Sequence, residues 1–386
     1  MKNINNICLI IYLISLLSCK EKYHSEYENI PYQGGKNIWI HYLSFDTIRI
    51  DASATSMDGQ WSIGNDTFYF ADAYSVGVNT FNLNGDFGHK HIEKGRGPNE
   101  AISPFVAITY SSDKELVGID MSWNLYCFDT LYRRKNRPYR WLSETKYDQN
   151  DWNELMKKPN PETNQMYEFN TRTKKLKITG DKVLVPILTE HVHYNGYNLK
   201  DHAKDFWAES YLFQLFDIKQ GKALQKIGHY PPIYSQKNIP IFSNYNFDLY
   251  KDKLYSTFMA DSLIYVRDIE GKLLYSFGSS ADLDVKNLPE TKTFEEHEES
   301  RDEQLTRYGY YTDLLVTNNY TLRGYKREGK NKFGFQIYKK HDLIGDIQIN
   351  TPFQFIGQNK DYYYLLLPVD IDDEYFEILK FTIPQK

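Results

Sequence analysis

A four-part unit recurs along this chain and constrains its fold more than any single residue does. Each copy contains an alternating apolar run, an Asp or Asn, a turn with Gly, and a second apolar run that ends in Gly. The copies read VNTFNLNGDFGHKHIEKG at 78–95, LFQLFDIKQGKALQKIG at 212–228 and LIYVRDIEGKLLYSFG at 263–278. Apolar alternation on both sides of a tight turn predicts a β-hairpin. Because a repeated hairpin buries its apolar face only against the next copy, the array predicts a β-propeller.

The number of predicted strands indicates an all-β, six-bladed β-propeller in one domain over residues 38–386. The strands form five groups of four and a last group of three over 353–383. A propeller that does not close leaves an exposed sheet edge, so we expect an N-terminal strand within 38–50 to complete the last blade. Short helical segments are predicted within insertions at 143–165, 195–208 and 285–307, which we expect to shape one face of the ring.

The N-terminus has the pattern of a secretion signal. The apolar stretch Ile7–Leu17 follows a single charge, Lys2. It is shorter than the roughly 20 residues that a membrane-spanning helix needs, and it has the length of a signal-peptide core. The stretch is followed by Ser18-Cys19, which resembles the lipobox of bacterial lipoproteins.

The lipobox resemblance implies that residues 1–18 are a lipoprotein signal peptide and that Cys19 is the lipidated, palmitate-bearing first residue of the mature chain. The alternative is an ordinary signal peptide with an incidental cysteine. Residues 19–37 are polar and contain Pro31, Gly34 and Gly35, so we predict a flexible tether there. Cys127 is then the remaining cysteine and lies in a strand-like run, which predicts a buried thiol without a disulfide.

Composition argues against nucleic acid as a partner. The chain has 46 Lys and Arg against 51 Asp and Glu, a net charge of −5, and no basic stripe. Aromatic residues make up 16% of the chain, which is typical of sheets with half-buried surfaces.

Residues 78–100 carry a family resemblance. The two strands around Asn84-Gly85, followed by Gly95-Arg96-Gly97-Pro98-Asn99-Glu100, resemble the first-blade signature of the six-bladed β-propeller lipoproteins of Bacteroides-type bacteria. The turn at 268–271 is similar to repeats of NHL- and TolB-like propellers. The resemblance implies a lipoprotein of the outer membrane in a Gram-negative bacterium, facing the periplasm or the cell surface. The family is largely uncharacterised, so the resemblance transfers no functional residues.

The glycine-rich motif at 95–100 has a structural and a functional interpretation. Two glycines and a proline fix a tight turn between blades. In the structural interpretation, Arg96 pairs with Glu100 across the turn, or Glu100 accepts backbone N–H groups at the start of the next segment. In the functional interpretation, Arg96 and Glu100 belong to a ligand site, with Arg96 presented to an anion.

Two His-x-His pairs are candidate metal ligands. His89 and His91, and likewise His191 and His193, share one face of a strand and could chelate a metal ion. A metal site usually needs further ligands, and the sequence spacing supplies none. We therefore interpret both pairs as exposed strand histidines and predict no metal and no cofactor.

No motif indicates a particular reaction. The sequence contains no nucleophile elbow, no phosphate-binding loop and no His-Glu-x-x-His. We expect a membrane-anchored propeller that binds a ligand, glycan or protein partner in the cell envelope without catalysis. One alternative is a carbohydrate-active enzyme, a glycoside hydrolase or lyase, with acidic residues at the propeller axis. The other is a structural or sensory subunit of an envelope complex.

Overall fold

The chain forms antiparallel sheets that succeed one another along the sequence. The computed structural model describes residues 24–53, 55–111, 113–135, 137–140, 149–189, 191–197, 199–200, 202–369 and 374–385. Two strands, β1 (Gly35–Ile40) and β2 (Asp46–Asp51), precede the first complete sheet. Blade 1 contains β3 (Gly59–Gly64), β4 (Thr67–Asp72), β5 (Val78–Asn82) and β6 (Phe87–His91). A short parallel pair follows, β7 (Glu93–Lys94) and β8 (Glu100–Ala101).

The second and third blades are separated by a helix. Blade 2 contains β9 (Phe105–Tyr110), β10 (Leu116–Asp120), β11 (Asn124–Phe128) and β12 (Tyr139–Arg140). Helix α1 (Gln149–Lys157) follows. Blade 3 contains β13 (Tyr167–Phe169), β14 (Lys177–Thr179), β15 (Lys182–Thr189), β16 (Phe213–Asp217) and β17 (Lys222–Ile227), with helix α2 (Ala203–Glu209) between β15 and β16.

The last three blades follow helix α3 (Ile233–Gln236). Blade 4 contains β18 (Tyr245–Tyr250), β19 (Lys253–Phe258), β20 (Ile264–Asp268) and β21 (Leu273–Phe277), and helix α4 (Phe294–Arg307) comes next. Blade 5 contains β22 (Tyr310–Val316), β23 (Tyr320–Lys326), β24 (Phe333–Lys339) and β25 (Asp342–Ile349). Blade 6 contains β26 (Gln354–Asn359), β27 (Tyr362–Leu366) and β28 (Tyr375–Thr382).

The six sheets close into a ring. Strand β3 contacts β9, which contacts β14, and contacts continue through β18, β22 and β26 back to β3. One inner strand from each blade therefore faces a common axis, as a six-bladed propeller requires. This arrangement confirms the predicted fold and the predicted number of blades.

Aromatic pairs occupy every interface between blades. Their ring centroids lie 4.0–5.8 Å apart, within the range in which such pairs attract. From the interface of blades 1 and 2 to the interface of blades 6 and 1, the pairs are Tyr69–Tyr110, Tyr139–Phe216, Phe213–Phe247, Phe277–Tyr338, Phe335–Phe355 and Tyr364–Phe68. The many aromatic residues of the sequence thus form part of the apolar interfaces between the blades.

Polar side chains on the innermost strands bind the backbone of the next blade. In blade 4, the Asp248 carboxylate accepts a hydrogen bond from the Val316 N–H of blade 5 at 2.8 Å. In blade 5, Asp313 accepts one from the Phe355 N–H of blade 6 at 2.7 Å. Asp313 also binds Lys175 of blade 3, two blades away, at 3.0 Å. These bonds satisfy backbone groups that the edge of an inner strand leaves unpaired.

The N-terminal strand closes blade 6, as predicted. Strand β2 pairs with β28, with Thr47 opposite Leu379 and Ile48 opposite Ile378. Strand β1 adds a feature that the sequence analysis missed: it pairs in parallel with β25 as a fifth strand of blade 5. Ile40, 2% exposed, joins the core of that blade.

Residues 24–37, which we predicted to belong to a tether, are instead docked on the ring. The Glu26 carboxylate binds both terminal nitrogens of the buried Arg267 at 2.8 Å. The Tyr27 hydroxyl accepts a third hydrogen bond from Arg267. Tyr32 pairs with Ser276 of blade 4 through its backbone. The buried guanidinium of Arg267 explains this docking, because a buried charge needs a partner.

The recurring sequence unit corresponds to the last two strands of blades 1, 3 and 4. Its Asp or Asn accepts backbone N–H groups in the turn, as Asp268 does from Lys272 at 2.8 Å. Its final glycine has a left-handed backbone, with φ of +74° at Gly228 and +137° at Gly278. A Cβ on Gly278 would lie 2.4 Å from the Ser262 carbonyl oxygen. The repeated residues are therefore those that the hairpin needs: an Asp or Asn for its turn, and a glycine where the chain leaves the hairpin with a left-handed backbone.

The helices share one face of the ring. In an antiparallel blade, the link from the second to the third strand and the link to the next blade lie at the same end of the strands, and therefore on the same face of the ring. Helix α2 lies in the first kind of link and α1, α3 and α4 lie in the second. The Leu199 N–H, in the link that contains α2, donates to the Lys292 carbonyl just before α4. The predicted insertions therefore converge on this insertion face.

We expect Asp313→Ala to lower the free energy of unfolding by about 3–5 kcal/mol, because the buried Lys175 charge loses its carboxylate and the Phe355 N–H loses its acceptor. Urea denaturation of residues 24–386 measures this loss. The matched control is Asp58→Ala, which removes an exposed pair with Lys174 at 3.5 Å and should cost at most about 1 kcal/mol. Equal losses in the two variants would contradict the axial role of Asp313.

We expect Glu26→Ala to release the docked segment without opening the ring, because it removes the carboxylate that pairs with Arg267. Hydrogen exchange should become at least tenfold faster at residues 26–34 and stay unchanged in β2 and β28. Glu28→Ala, at an exposed position two residues away, is the control and should leave exchange unaltered. Slow exchange at 26–34 in Glu26→Ala would refute the anchoring role of this pair.

Candidate functional site

Two depressions on the insertion face meet at Arg172 and form what we call the Arg172 cleft. The outer depression has a volume of about 410 Å³ and the inner one about 340 Å³. The outer depression is lined by Thr171, Arg172, Leu188, Thr189, Val192, Asn195, Tyr197 and Phe294. The inner one is lined by Arg172, Ile241, Asn244, Met259, His297, Arg301, Leu305, Tyr310, Tyr311 and Thr312. Both volumes are in the range of small-ligand sites, roughly 300–1,000 Å³.

The backbone between β13 and β14 positions Arg172. The Asn170 side-chain oxygen accepts from the Arg172 N–H at 3.1 Å and holds the bend. The Arg172 guanidinium then donates to the Tyr197 hydroxyl at 2.8 Å. Tyr197 comes from the insertion before α2, and its ring packs edge-on against His297 of α4 at 4.6 Å. Blade 3 and two insertions are thereby joined at the centre of the cleft.

His297 lies on the buried face of helix α4. Its side chain is 4% exposed, and its Nε2 atom lies 3.5 Å from a Glu298 carboxylate oxygen. Burial lowers the pKa of His297 below its ordinary value, and the nearby Arg172 and Arg301 charges act in the same direction. The imidazole is therefore neutral at pH 7. Its buried Nδ1 atom has no hydrogen-bond partner among the described residues.

A second buried acceptor lies in the inner depression. The side-chain oxygen of Asn244, just before β18, also has no hydrogen-bond partner in the described part of the chain. Two arginines, Arg172 and Arg301, line the same depression. None of its described lining residues is acidic. The inner depression thus combines positive charge with unsatisfied acceptors.

The acidic residues at the axis have structural partners. Asp248 binds the Lys177 ammonium group at 2.6 Å, and Asp313 binds Lys175. Each carboxylate also accepts backbone N–H groups from a neighbouring blade. A glycosidase needs one carboxyl group that donates a proton and one that attacks or activates water. Carboxylates committed to lysines and backbone are poorly suited to either role.

The glycine-rich motif forms a closed turn. The Glu100 carboxylate folds back and accepts a hydrogen bond from the Gly97 N–H. The Arg96 carbonyl accepts a bond from the Arg134 side chain at 3.0 Å, while the Arg96 side chain is exposed. The structure therefore gives Glu100 a donor within the turn, whereas we had considered donors at the start of the next segment, and it places Arg96 and Glu100 in the link between blades 1 and 2.

The two histidine pairs have different surroundings. In blade 1, His89 is exposed and the His91 ring stacks on Tyr132 at 3.9 Å. In the insertion after β15, His191 is buried, which differs from the exposed position that we expected. Its Nδ1 atom accepts from the backbone N–H groups of His193 and Tyr194 at 3.1 and 3.0 Å, and its Nε2 atom lies 3.2 Å from the Leu155 carbonyl oxygen.

The described residues contain no cluster of three or more metal-ligating side chains. They also contain no helix that is long and apolar enough to span a bilayer. Cys127 is buried, and burial together with the nearby Glu115 raises the pKa of its thiol to about 11. Cys19 and the predicted signal peptide lie outside the described residues.

No sequence motif indicates the residues of the Arg172 cleft as a set. Arg172, Tyr197, Asn244 and His297 are far apart in the chain and belong to no motif. Tyr197 and His297 lie in two of the insertions that we expected to shape one face. A search for polar and aromatic residues within insertions would have found these two, but not Arg172 or Asn244.

Comparisons with known proteins give a fold match. No protein-family model and no curated protein matches the chain. A solved structure of a DUF4221 family member from Bacteroides vulgatus is similar, with a TM-score of 0.63 and 12% identity, over 89% of this chain and 99% of that one. A presumed exported protein of Bacteroides fragilis has a TM-score of 0.52 and 13% identity, over 92% and 99% of the two chains. At this identity the likeness shows the fold alone, and it confirms the resemblance to Bacteroides-type propellers at that level.

Proposed function

We propose that this chain is a lipid-anchored propeller of the bacterial envelope that binds a soluble ligand or glycan in the Arg172 cleft and carries out no reaction on it. One observation carries the proposal: blade 3 and two separate insertions place side chains around a single pair of depressions on one face. Loops that converge on a rigid scaffold are the usual origin of a binding site.

The binding function is favoured over the enzymatic alternative by the state of the acidic residues. The axial carboxylates of Asp248 and Asp313 are bound to lysines and to backbone N–H groups. The Arg172 cleft, in turn, has no acidic residue among its described lining. Neither place offers the two available carboxyl groups on which a glycoside hydrolase depends.

The envelope location is supported by the N-terminal sequence and by one structural neighbour. The stretch before Cys19 resembles a lipobox, and the similar Bacteroides fragilis protein is described as exported. We therefore propose that the chain is an outer-membrane lipoprotein of the Bacteroides-type propeller group, held to the membrane through Cys19.

The binding function is tested by filling the cleft. Val192→Trp adds a large side chain at an exposed lining position and should reduce binding to an array of bacterial and host glycans at least tenfold. Leu131→Trp is the matched control, because Leu131 is 65% exposed, like Val192 at 63%, and lies in a turn of blade 2. Unchanged binding by Val192→Trp, or no glycan bound by the parent protein, would reject the proposal.

The lipid anchor is tested by labelling cells with an alkyne analogue of palmitate. We expect Cys19→Ser to abolish incorporation and to release the protein from the membrane fraction, because stable anchoring depends on the acyl chains. Cys127→Ala, which removes the buried thiol, should retain full labelling. Palmitate incorporation into Cys19→Ser would show that the anchor lies elsewhere or is absent.

A further inference from the structure

We propose that His191 is a positioning residue that keeps the outer wall of the Arg172 cleft in place at neutral pH and releases that wall in acid. The inference rests on the proposed binding function and adds regulation to the same site. The outer wall consists of residues 191–197, which follow β15 and border the outer depression.

The hydrogen bonds of the His191 ring require one neutral tautomer. Its Nδ1 atom lies 3.1 and 3.0 Å from the backbone nitrogens of His193 and Tyr194, which can only donate, so Nδ1 carries no proton. Its Nε2 atom lies 3.2 Å from the Leu155 carbonyl oxygen, which can only accept, so Nε2 holds the proton. The Tyr194 N–H also reaches the His191 carbonyl oxygen at 3.2 Å. The His193 N–H therefore depends most on Nδ1, and both ring nitrogens are engaged by the backbone rather than available to a metal ion.

The turn that His191 holds supports residues that line the cleft. The His191 carbonyl accepts from the Asn195 side chain at 2.9 Å, and the Asn195 side-chain oxygen accepts from the Tyr197 N–H at 3.0 Å. Asn195 and Tyr197 both line the outer depression. Tyr197 then contacts Arg172 and His297 across the cleft. The position of the outer wall therefore depends on the turn at His191.

Protonation of His191 is incompatible with this turn. A proton on Nδ1 would make it a donor that faces two N–H groups. His191 is 7% exposed, and this burial lowers its pKa, while the bond to the Leu155 carbonyl opposes the shift. An opened turn takes up a proton near the ordinary histidine pKa of about 6.5, whereas the closed turn resists it. The closed wall is therefore stable above about pH 6.5, and its equilibrium with the open form shifts by up to about tenfold for each pH unit below that value.

The charged groups around the ring act in the same direction as its burial. His193 and His202, in the same insertion, lower the pKa of His191 further. His202 lies 3.3 Å from the Asp205 carboxylate of α2. On α1, whose Leu155 carbonyl meets the ring, the described charged side chains are exposed; they are Glu154 and Lys157.

Hydrogen exchange on the protein of residues 24–386 tests the release of the wall. Protection factors, corrected for the intrinsic effect of pH on exchange, are compared at about pH 7.5 and about pH 5, on either side of the ordinary histidine pKa. We expect protection of the amides at 193 and 197 to fall at least tenfold in acid. Protection in β23 and β24 should stay unchanged, because the ring remains folded. Equal protection at 193 and 197 at the two pH values would overturn the inference.

Two variants assign the effect to the His191 ring. In His191→Asn, the side-chain oxygen can accept from the N–H two residues later, as asparagine does in many turns, but it does not titrate. We expect His191→Asn to protect the amides at 193 and 197 at both pH values. His193→Asn removes an exposed ring from the same turn; it is the matched control and should lose protection in acid as the parent protein does. An acid-dependent loss at 193 that persists in His191→Asn would refute the inference.

A titration by nuclear magnetic resonance makes the test independent of how well asparagine fits the turn. With histidine labelled at its ring nitrogens, the parent protein should show Nδ1 of His191 without a proton at neutral pH. The midpoint of its protonation should coincide with the loss of protection at 193. Separate midpoints for the two changes would overturn the inference, whatever the variants do.

Binding to the glycan array separates this inference from the proposed function. A glycan that the parent protein binds at neutral pH should bind at least tenfold more weakly in acid, and His191→Asn should recover most of that loss. Unchanged binding across the pH range would overturn the regulatory role and leave the binding function intact. A parent protein that binds no glycan would reject the proposed function, while the exchange and the titration would still decide whether His191 controls the wall.

Discussion

The ring depends on hydrogen bonds from the inner strand of one blade to the backbone of the next. The innermost strand of each blade is an edge of its sheet. Its N–H and C=O groups that point away from the sheet have no neighbouring strand to pair with. Asp248 and Asp313 supply acceptors to the next blade, and Thr173 donates to the Tyr245 carbonyl of the blade that follows it. These contacts fix the angle between blades, and the aromatic pairs then fill the wedge-shaped space outside them. Polar residues near the axis are in this sense part of the scaffold.

The insertions take part in both stability and recognition. The axial acids and lysines hold the blades together, and Phe206 and Trp207 of one insertion are buried in the same core as Phe213 of blade 3. Those insertions all leave from one face, where they contact one another through Leu199 and Lys292 and through Tyr197 and His297. The resulting cleft has inner strands beneath it and walls made by the insertions, so the loops shape the site while the strands support it.

The fold could be predicted from the sequence because its signals are local and repeated. The hairpin unit, its turn Asp or Asn and its final glycine recur at 78–95, 212–228 and 263–278, and the shortage of one strand at the C-terminus pointed to closure by β2. The docking of Glu26 on Arg267 could not be predicted, because it joins residues about 240 positions apart with no pattern between them. The Arg172 cleft is also a product of tertiary structure: its polar residues come from separate elements. Buried His191 was misjudged because alternation alone does not show which neighbouring backbone groups will bind a ring nitrogen.

The anchoring of Glu26 and Tyr27 on blade 4 affects how the protein would stand on a membrane. Cys19 precedes Glu26 by seven residues, and a chain of that length reaches at most about 25 Å when fully extended. With lipid on Cys19, the edge of the ring near Arg267 would stay within that distance of the bilayer surface. This segment is shorter than the diameter of a small domain, about 30 Å. It would therefore limit rotation of the propeller relative to the membrane and keep one side of the ring toward the lipid.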